Sequence, residues 1–141
     1  MDTLKELDQW MTNNCYRNDS YAIAGRKIYE GFGLEKRSDK YIWYYTERGQ
    51  EQIVEEFINE FDAVKYAHTK IINDKFADRH MIAFYSTKKD ISSLLKELAN
   101  RSISYQTGEL YYRQNDYRTM VFVFGCDVKK VQDLKKKYYE L

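Results

Sequence analysis

Residues 50–63 read QEQIVEEFINEFDA, and the fold turns on whether they form one helix or a strand followed by a helix. Ile53, Phe57, Phe61, Val64, His68 and Ile71 recur at helical spacing, so periodicity predicts a long helix over 50–73. Asn59 and Asp62 argue otherwise. An Asn accepts from the amide three residues on, so the Asn-x-x-Asp pattern predicts a helix start at 59, with a strand over 50–57 before it. The stretch is also purely acidic, with Glu51, Glu55, Glu56, Glu60 and Asp62 and no Lys or Arg.

Outward from this stretch the pattern is clearer. Leu4, Leu7 and Met11, with Trp10 beside them, predict an amphipathic helix over 3–13. Alternation in KIYEGFGLEKR and the aromatic, β-branched run YIWYYTER predict a hairpin over 27–36 and 40–48, turned by SDK. HMIAFYS reads as a strand over 80–86. A helix follows, with Thr87 as N-cap, Asp90 three residues on, an apolar face of Ile91, Leu94, Leu95 and Leu98, and Asn100 as C-cap. ISYQTGELYYR and YRTMVFVFG predict two more strands joined by QND. DVKKVQDLKKKYYEL predicts a last helix with Asp127 as N-cap and Val128, Val131, Leu134 and Tyr138 inward. The class is α+β with mainly antiparallel pairing and helices packed on the sheet. Residues 80–139 form a β-α-β-β-α unit, and no linker, low-complexity segment or repeat is evident.

With 141 residues, the chain is expected to be a single domain over 1–141. Its 43% hydrophobic and 32% charged residues describe a globular chain. A net charge of +1 argues against whole-surface nucleic-acid binding, so any electrostatic function needs local segregation of charge. No run is apolar enough to cross a bilayer, and MDTLKELDQWM lacks the apolar core of a signal peptide, so a cytoplasmic protein is expected. In that reducing setting Cys15 and Cys126 are expected as free thiols.

Three segments now carry a resemblance: YAIAGRKIYEGFGLEKRSDKYIWYYTERGQ (21–50), FDAVKYAHTKIINDK (61–75) and RTMVFVFGCDVKKV (118–131). The IYEGFGLE–WYYTERG hairpin, the DAVKYA helix start and the VFVFG-C-D strand end resemble those of small bacterial immunity proteins of polymorphic and contact-dependent toxin systems. Among these, the immunity partners of wall-associated (WapA-type) toxins of bacilli are the most similar. The resemblance spans residues 20–139 and leaves 1–19 unmatched. It implies an antitoxin that binds and neutralises the C-terminal domain of a cognate toxin, a nuclease that cleaves tRNA. It also implies a third strand after the hairpin. With Asn59 and Asp62 it tips residues 50–73 toward strand then helix, giving the order α-β-β-β-α-β-α-β-β-α.

The acids suit that role. A nuclease holds phosphates with Lys and Arg, and an inhibitor presenting carboxylates meets those bases. Glu51, Glu55, Glu56 and Glu60 are the expected partner-binding acids, with Trp43 and Tyr44 as aromatic anchors. On a strand, Glu51 and Glu55 would share a face. The plainer reading is a solvated face. A catalytic carboxylate pair is not expected, because neither secondary structure aims two acids into one pocket. Cys126, before a helix start, could be an activated nucleophile but has no recognised base, and a buried small residue is the simpler reading. Two Cys and two His at 15, 126, 68 and 80 lack every zinc spacing, so no metal or cofactor is expected. His68 reads as a core residue. Lys129, Lys130 and Lys135 to Lys137 read as a solvated helix face rather than a nucleic-acid site, and EGFG lacks the spacing of a phosphate loop. The rival readings are a generic protein-interaction module and a small hydrolase or nuclease.

Overall fold

The computed structural model describes residues 1–86 and 90–139. Its α+β architecture has two compact units, Met1–Asp78 and Arg79–Leu141, described in turn.

The first unit opens with α1 (Leu4–Asn13). The Thr3 hydroxyl oxygen accepts from the Glu6 amide at 3.1 Å, which starts the helix. It ends on a left-handed Cys15 (φ 59), with Tyr16 N donating to Met11 O and Cys15 N to Thr12 O. Four strands follow: β1 (Tyr21–Ile23), β2 (Glu30–Arg37), β3 (Lys40–Glu47) and β4 (Gln50–Phe57), adjacent in that order. β1 lies parallel to β2, and the other neighbours are antiparallel. The expected hairpin is thus present, while β1 was not anticipated because three residues are too few to show alternation.

Two glycines make this sheet possible. Gly31 has φ 144, and a Cβ there would stand 2.2 Å from Ser20 O, where the chain passes beside β1. At Gly33 a Cβ would stand 2.2 Å from the Tyr44 ring, which occupies the space of the missing side chain. The EGFG motif therefore serves close approach, of backbone at Gly31 and of an aromatic ring at Gly33.

Residues 50–57 are a strand, so the long helix suggested by periodicity does not form. Arg48 (φ 51) and Gly49 (φ 79) are both left-handed and join Glu47 to its cross-strand partner Gln50. A two-residue turn with two left-handed positions matches the twist of antiparallel strands and returns the chain against β3. α2 (Glu60–Ile72) then starts where Asn59 and Asp62 require it. The Asp62 amide donates to Asn59 Oδ1 at 2.9 Å, and Asn59 Nδ2 donates to Asp62 Oδ2 at 3.0 Å. Ala63, Val64, Ala67 and Ile71 face inward and meet Leu7 and Met11 of α1 and Tyr21, Ile23, Leu34 and Trp43 of the sheet. Phe61, expected on an inward stripe, is half exposed.

The second unit is a three-stranded antiparallel sheet of β5 (Arg79–Ser86), β7 (Asp116–Phe124) and β6 (Gln106–Arg113), with β7 central. α3 (Ser92–Asn100) follows β5, and its expected cap Thr87 lies outside the described residues. Asp90 serves that end, accepting from the Ser92 amide at 2.8 Å and its hydroxyl at 2.9 Å. Asn100 is the last helical residue, and the left-handed position falls at Ser102 (φ 57). The last helix is broken: a 3-10 turn, Gly125–Lys130, precedes α4 (Gln132–Tyr138). Asp127 lies inside the 3-10 turn rather than at a helix start. Residues three apart align in a 3-10 turn. Val128 and Val131 accordingly both reach the core, with Leu134, Ile82, Leu94, Leu98, Val121 and Val123.

Neither cysteine is a free thiol; Cys15 and Cys126 are both disulfide-bonded, contrary to the expectation from the sequence. No helix among the described residues is long and apolar enough to cross a membrane.

The close fit at Gly33 is testable. Gly33→Ala drives a methyl into the Tyr44 ring and should cost about 1–3 kcal/mol by urea unfolding. The same change in a Tyr44→Leu background should cost less, because the ring that blocks the methyl is gone.

Candidate functional site

β4 ends the first sheet. Among the described residues it pairs with β3 alone, and every residue from Gln50 to Glu56 is exposed. Along this strand the glutamates do not form one row. Cross-strand neighbours share a face, and Glu51 stands opposite Thr46, Glu56 opposite Ile42 and Glu55 opposite Trp43. The register slips between Trp43 and Tyr44, where Val54 is the extra residue. That bulge breaks the alternation. Glu51 and Glu56 lie on the Tyr44 face, and Glu55 lies on the helix-covered face with Trp43. The expected shared face for Glu51 and Glu55 is therefore corrected.

The four acids have four situations. Glu51 accepts a two-pronged pair of hydrogen bonds from Arg37, one from Nη1 at 3.0 Å and a closer one from Nη2. Arg37 also donates to Glu35 Oε1, from Nε at 2.9 Å and Nη2 at 2.6 Å, and its guanidinium lies 5.1 Å from the Tyr44 ring centre. Glu56 has only the exposed Lys40 ammonium at 3.6 Å, a pair worth little in water. Glu60 is structural. Its Oε1 accepts from the Leu4 amide at 2.8 Å, and its Oε2 accepts from the Tyr41 hydroxyl at 3.3 Å. The first residue of α2 thus satisfies a free amide at the start of α1. Glu55 has no hydrogen-bond or ion-pair partner among the described residues.

The two expected aromatic anchors are interior. Trp43 is 2% exposed, stacked on Phe32 at 5.3 Å and met edge-on by Tyr66 at 5.7 Å. Tyr44 is 7% exposed beneath Arg37. Neither stands out from the surface as an anchor. Exposed apolar area comes instead from residues that composition did not single out: Ile53 at 50%, Val54 at 43%, and Ile58 and Phe61 beyond them. Val54, Tyr66, Lys70, Tyr21, Phe32 and Trp43 line a cleft of about 230 Å³ on the helix-covered face. The Lys70 ammonium lies 5.3 Å from the Tyr66 ring centre. An apolar position repeated out of step, as at Ile53 and Val54, was the signal for a bulged, half-open strand.

Other candidates resolve more simply. His68 packs edge-on against Trp10, with centres 4.6 Å apart. The described residues contain no cluster of three or more His, Cys, Asp or Glu able to hold a metal. Cys126, disulfide-bonded, offers no thiolate. Lys130 pairs with Asp127 at 3.1 Å within the 3-10 turn. No family model, curated protein or solved structure matches the chain.

Hydrogen bonds from Arg37 hold the Glu51 carboxyl below the ordinary glutamate range, against a smaller upward push from desolvation. Burial, then the charges of Glu35 and Glu51, raises the Tyr44 hydroxyl. A general acid needs a raised carboxyl, so Glu51 is tuned in the opposite sense. A depressed carboxyl adds stability above its unfolded value of about 4.3, and loses it as pH falls through the lower folded value. Urea midpoints of the wild type should therefore drop more steeply on acidification than those of Glu51→Gln. Carboxyl titration by NMR should place Glu51 below the ordinary glutamate range, and a value at or above that range would refute the pairing.

Proposed function

We propose that the chain is a non-enzymatic immunity protein that binds and neutralises the cytotoxic C-terminal domain of a cognate bacterial toxin. The carrying observation is the open β4 edge, with Glu55 unpaired among the described residues and Glu56 only loosely held by Lys40. A nuclease domain must carry a basic surface to hold phosphates. Carboxylates held on a rigid sheet edge attract that surface, speed encounter and compete with its RNA. The resemblance of the hairpin and helix-start segments to immunity proteins supplies the toxin class and points to a tRNA-cleaving domain.

The site of action follows from the target: a toxin that cuts tRNA acts in the cytoplasm, so its inhibitor must meet it there. The oxidised cysteines pull the other way, because disulfides persist in oxidising compartments. Alkylation of thiols in freshly lysed cells measures the balance directly. A second reading, a general protein-interaction module, is favoured by the β6 edge, where Tyr111 and Tyr117 stack edge-to-face at 5.4 Å while both remain exposed.

The neighbouring reading frame is the first test. The reading expects a large surface or secreted protein ending in a short toxic domain, and that domain should lose its tRNA-cleaving activity when mixed with this protein. Cleavage that persists at large molar excess of the protein would sink the reading. Glu55→Lys with Glu56→Lys should weaken binding to the domain about tenfold or more, with a shallower salt dependence than wild type. Unchanged affinity would move the interface to another surface, such as the Tyr111–Tyr112 hairpin.

A further inference from the structure

Among the described residues, one side of the β4 backbone has no partner. The strand ends its sheet and is exposed from Gln50 to Glu56, so its outer amides and carbonyls form an open rail. Beside the rail, Val54, Tyr66 and Lys70 flank a mostly apolar cleft of about 230 Å³ floored by Phe32 and Trp43, whose one cation favours an apolar rather than a basic side chain in it. We propose that this edge takes a fifth strand: an extended basic segment of a protein partner, paired along β4, with one apolar side chain seated between Val54 and Tyr66. The inference deepens the immunity-protein reading and rests on it for the identity of the partner as a toxin domain.

Charge selects the occupant. Glu51, Glu55 and Glu56 flank the rail, and Arg37 is already committed to Glu35 and Glu51. A second copy of β4 would bring glutamates against glutamates, and like charges directly opposite destabilise a strand pair. The edge thus resists its own copy and favours a strand bearing Lys or Arg. The bulge refines the pattern. Val54 is the extra residue beside Glu55, and Glu55 shares the Trp43 face. A base paired with Glu55 and an apolar side chain in the cleft must therefore come from the same face of the incoming strand, two positions apart. Strand addition of this kind draws affinity from main-chain hydrogen bonds and specificity from the pockets met by alternate side chains.

The probe is the peptide KTRVFTKT, whose alternate residues are three bases and a Phe. Its control is KPRPFPKP, with equal charge and no strand-pairing amides at alternate positions. Added to the intact protein, KTRVFTKT should slow hydrogen exchange at β4 amides and shift the NMR signals of residues 50–57 and Tyr66. The proline peptide should bind about tenfold more weakly, because attraction between charges alone is modest at an exposed surface. Glu55→Lys with Glu56→Lys should abolish the β4 protection. Equal binding of the two peptides overturns the proposal, as do shifts centred on β6, or a dimer of the free protein in sedimentation that is lost in the double variant. The toxin domain separates this from the functional reading. Inhibition without β4 protection removes the docking mode alone, whereas peptide protection without toxin inhibition removes the functional reading alone.

Discussion

A backbone with two consecutive left-handed residues, Arg48 and Gly49, leaves the following segment little choice. It emerges antiparallel to β3, close enough to pair at once, and β3 is anchored by Trp43 in the core. Pairing then extends to Phe57 against Tyr41, and the chain must leave the sheet there. Asn59 turns that exit into a helix start, and α2 lands across the sheet with Ala63 and Ala67 small enough to let it approach. From the same first turn Glu60 reaches the Leu4 amide, so the position of α1 also depends on where β4 ended. The turn governs the placement of the elements that enclose the first core.

This layout also divides the acidic segment. Carboxylates that look equivalent along the chain become a clamp on Arg37, a helix-end acceptor, a loosely held surface charge and an open one. The division follows the neighbours that each face provides. On the Tyr44 face, Arg37 and Lys40 lie within reach of Glu51 and Glu56. On the other face Glu55 stands opposite Trp43 and has no hydrogen-bond or ion-pair partner among the described residues.

Much of the fold was legible because it rests on local chemistry. Asn59 with Asp62 marked a helix start that periodicity alone would have buried inside a longer helix, and Leu94 and Leu98 marked the face of α3. What stayed hidden depends on contacts distant in sequence. The three residues of β1 are strand only because β2 lies beside them, and Glu60 caps a helix whose start is far away in the chain. The buried state of Trp43 and Tyr44 belongs to the same class. Alternation along a strand puts them on opposite faces, but does not tell that α2 covers one and that Gly33 and Arg37 receive the other. The candidate site was therefore half readable: its charge lay in the composition, while its division between faces came from a single slipped residue.

That slipped residue has an evolutionary reading. Substitution can change which side chain stands at each position of β4, but cannot carry a carboxylate from one side of the sheet to the other. The extra residue at Val54 is what sets Glu51 and Glu55 on opposite faces despite their even spacing. Deleting it would leave three steps of regular strand between Glu51 and Glu55, so both acids would keep their faces and their partners Thr46 and Trp43. The bulge is thus a place where the strand can lose a residue while its charges and the core beneath keep their positions.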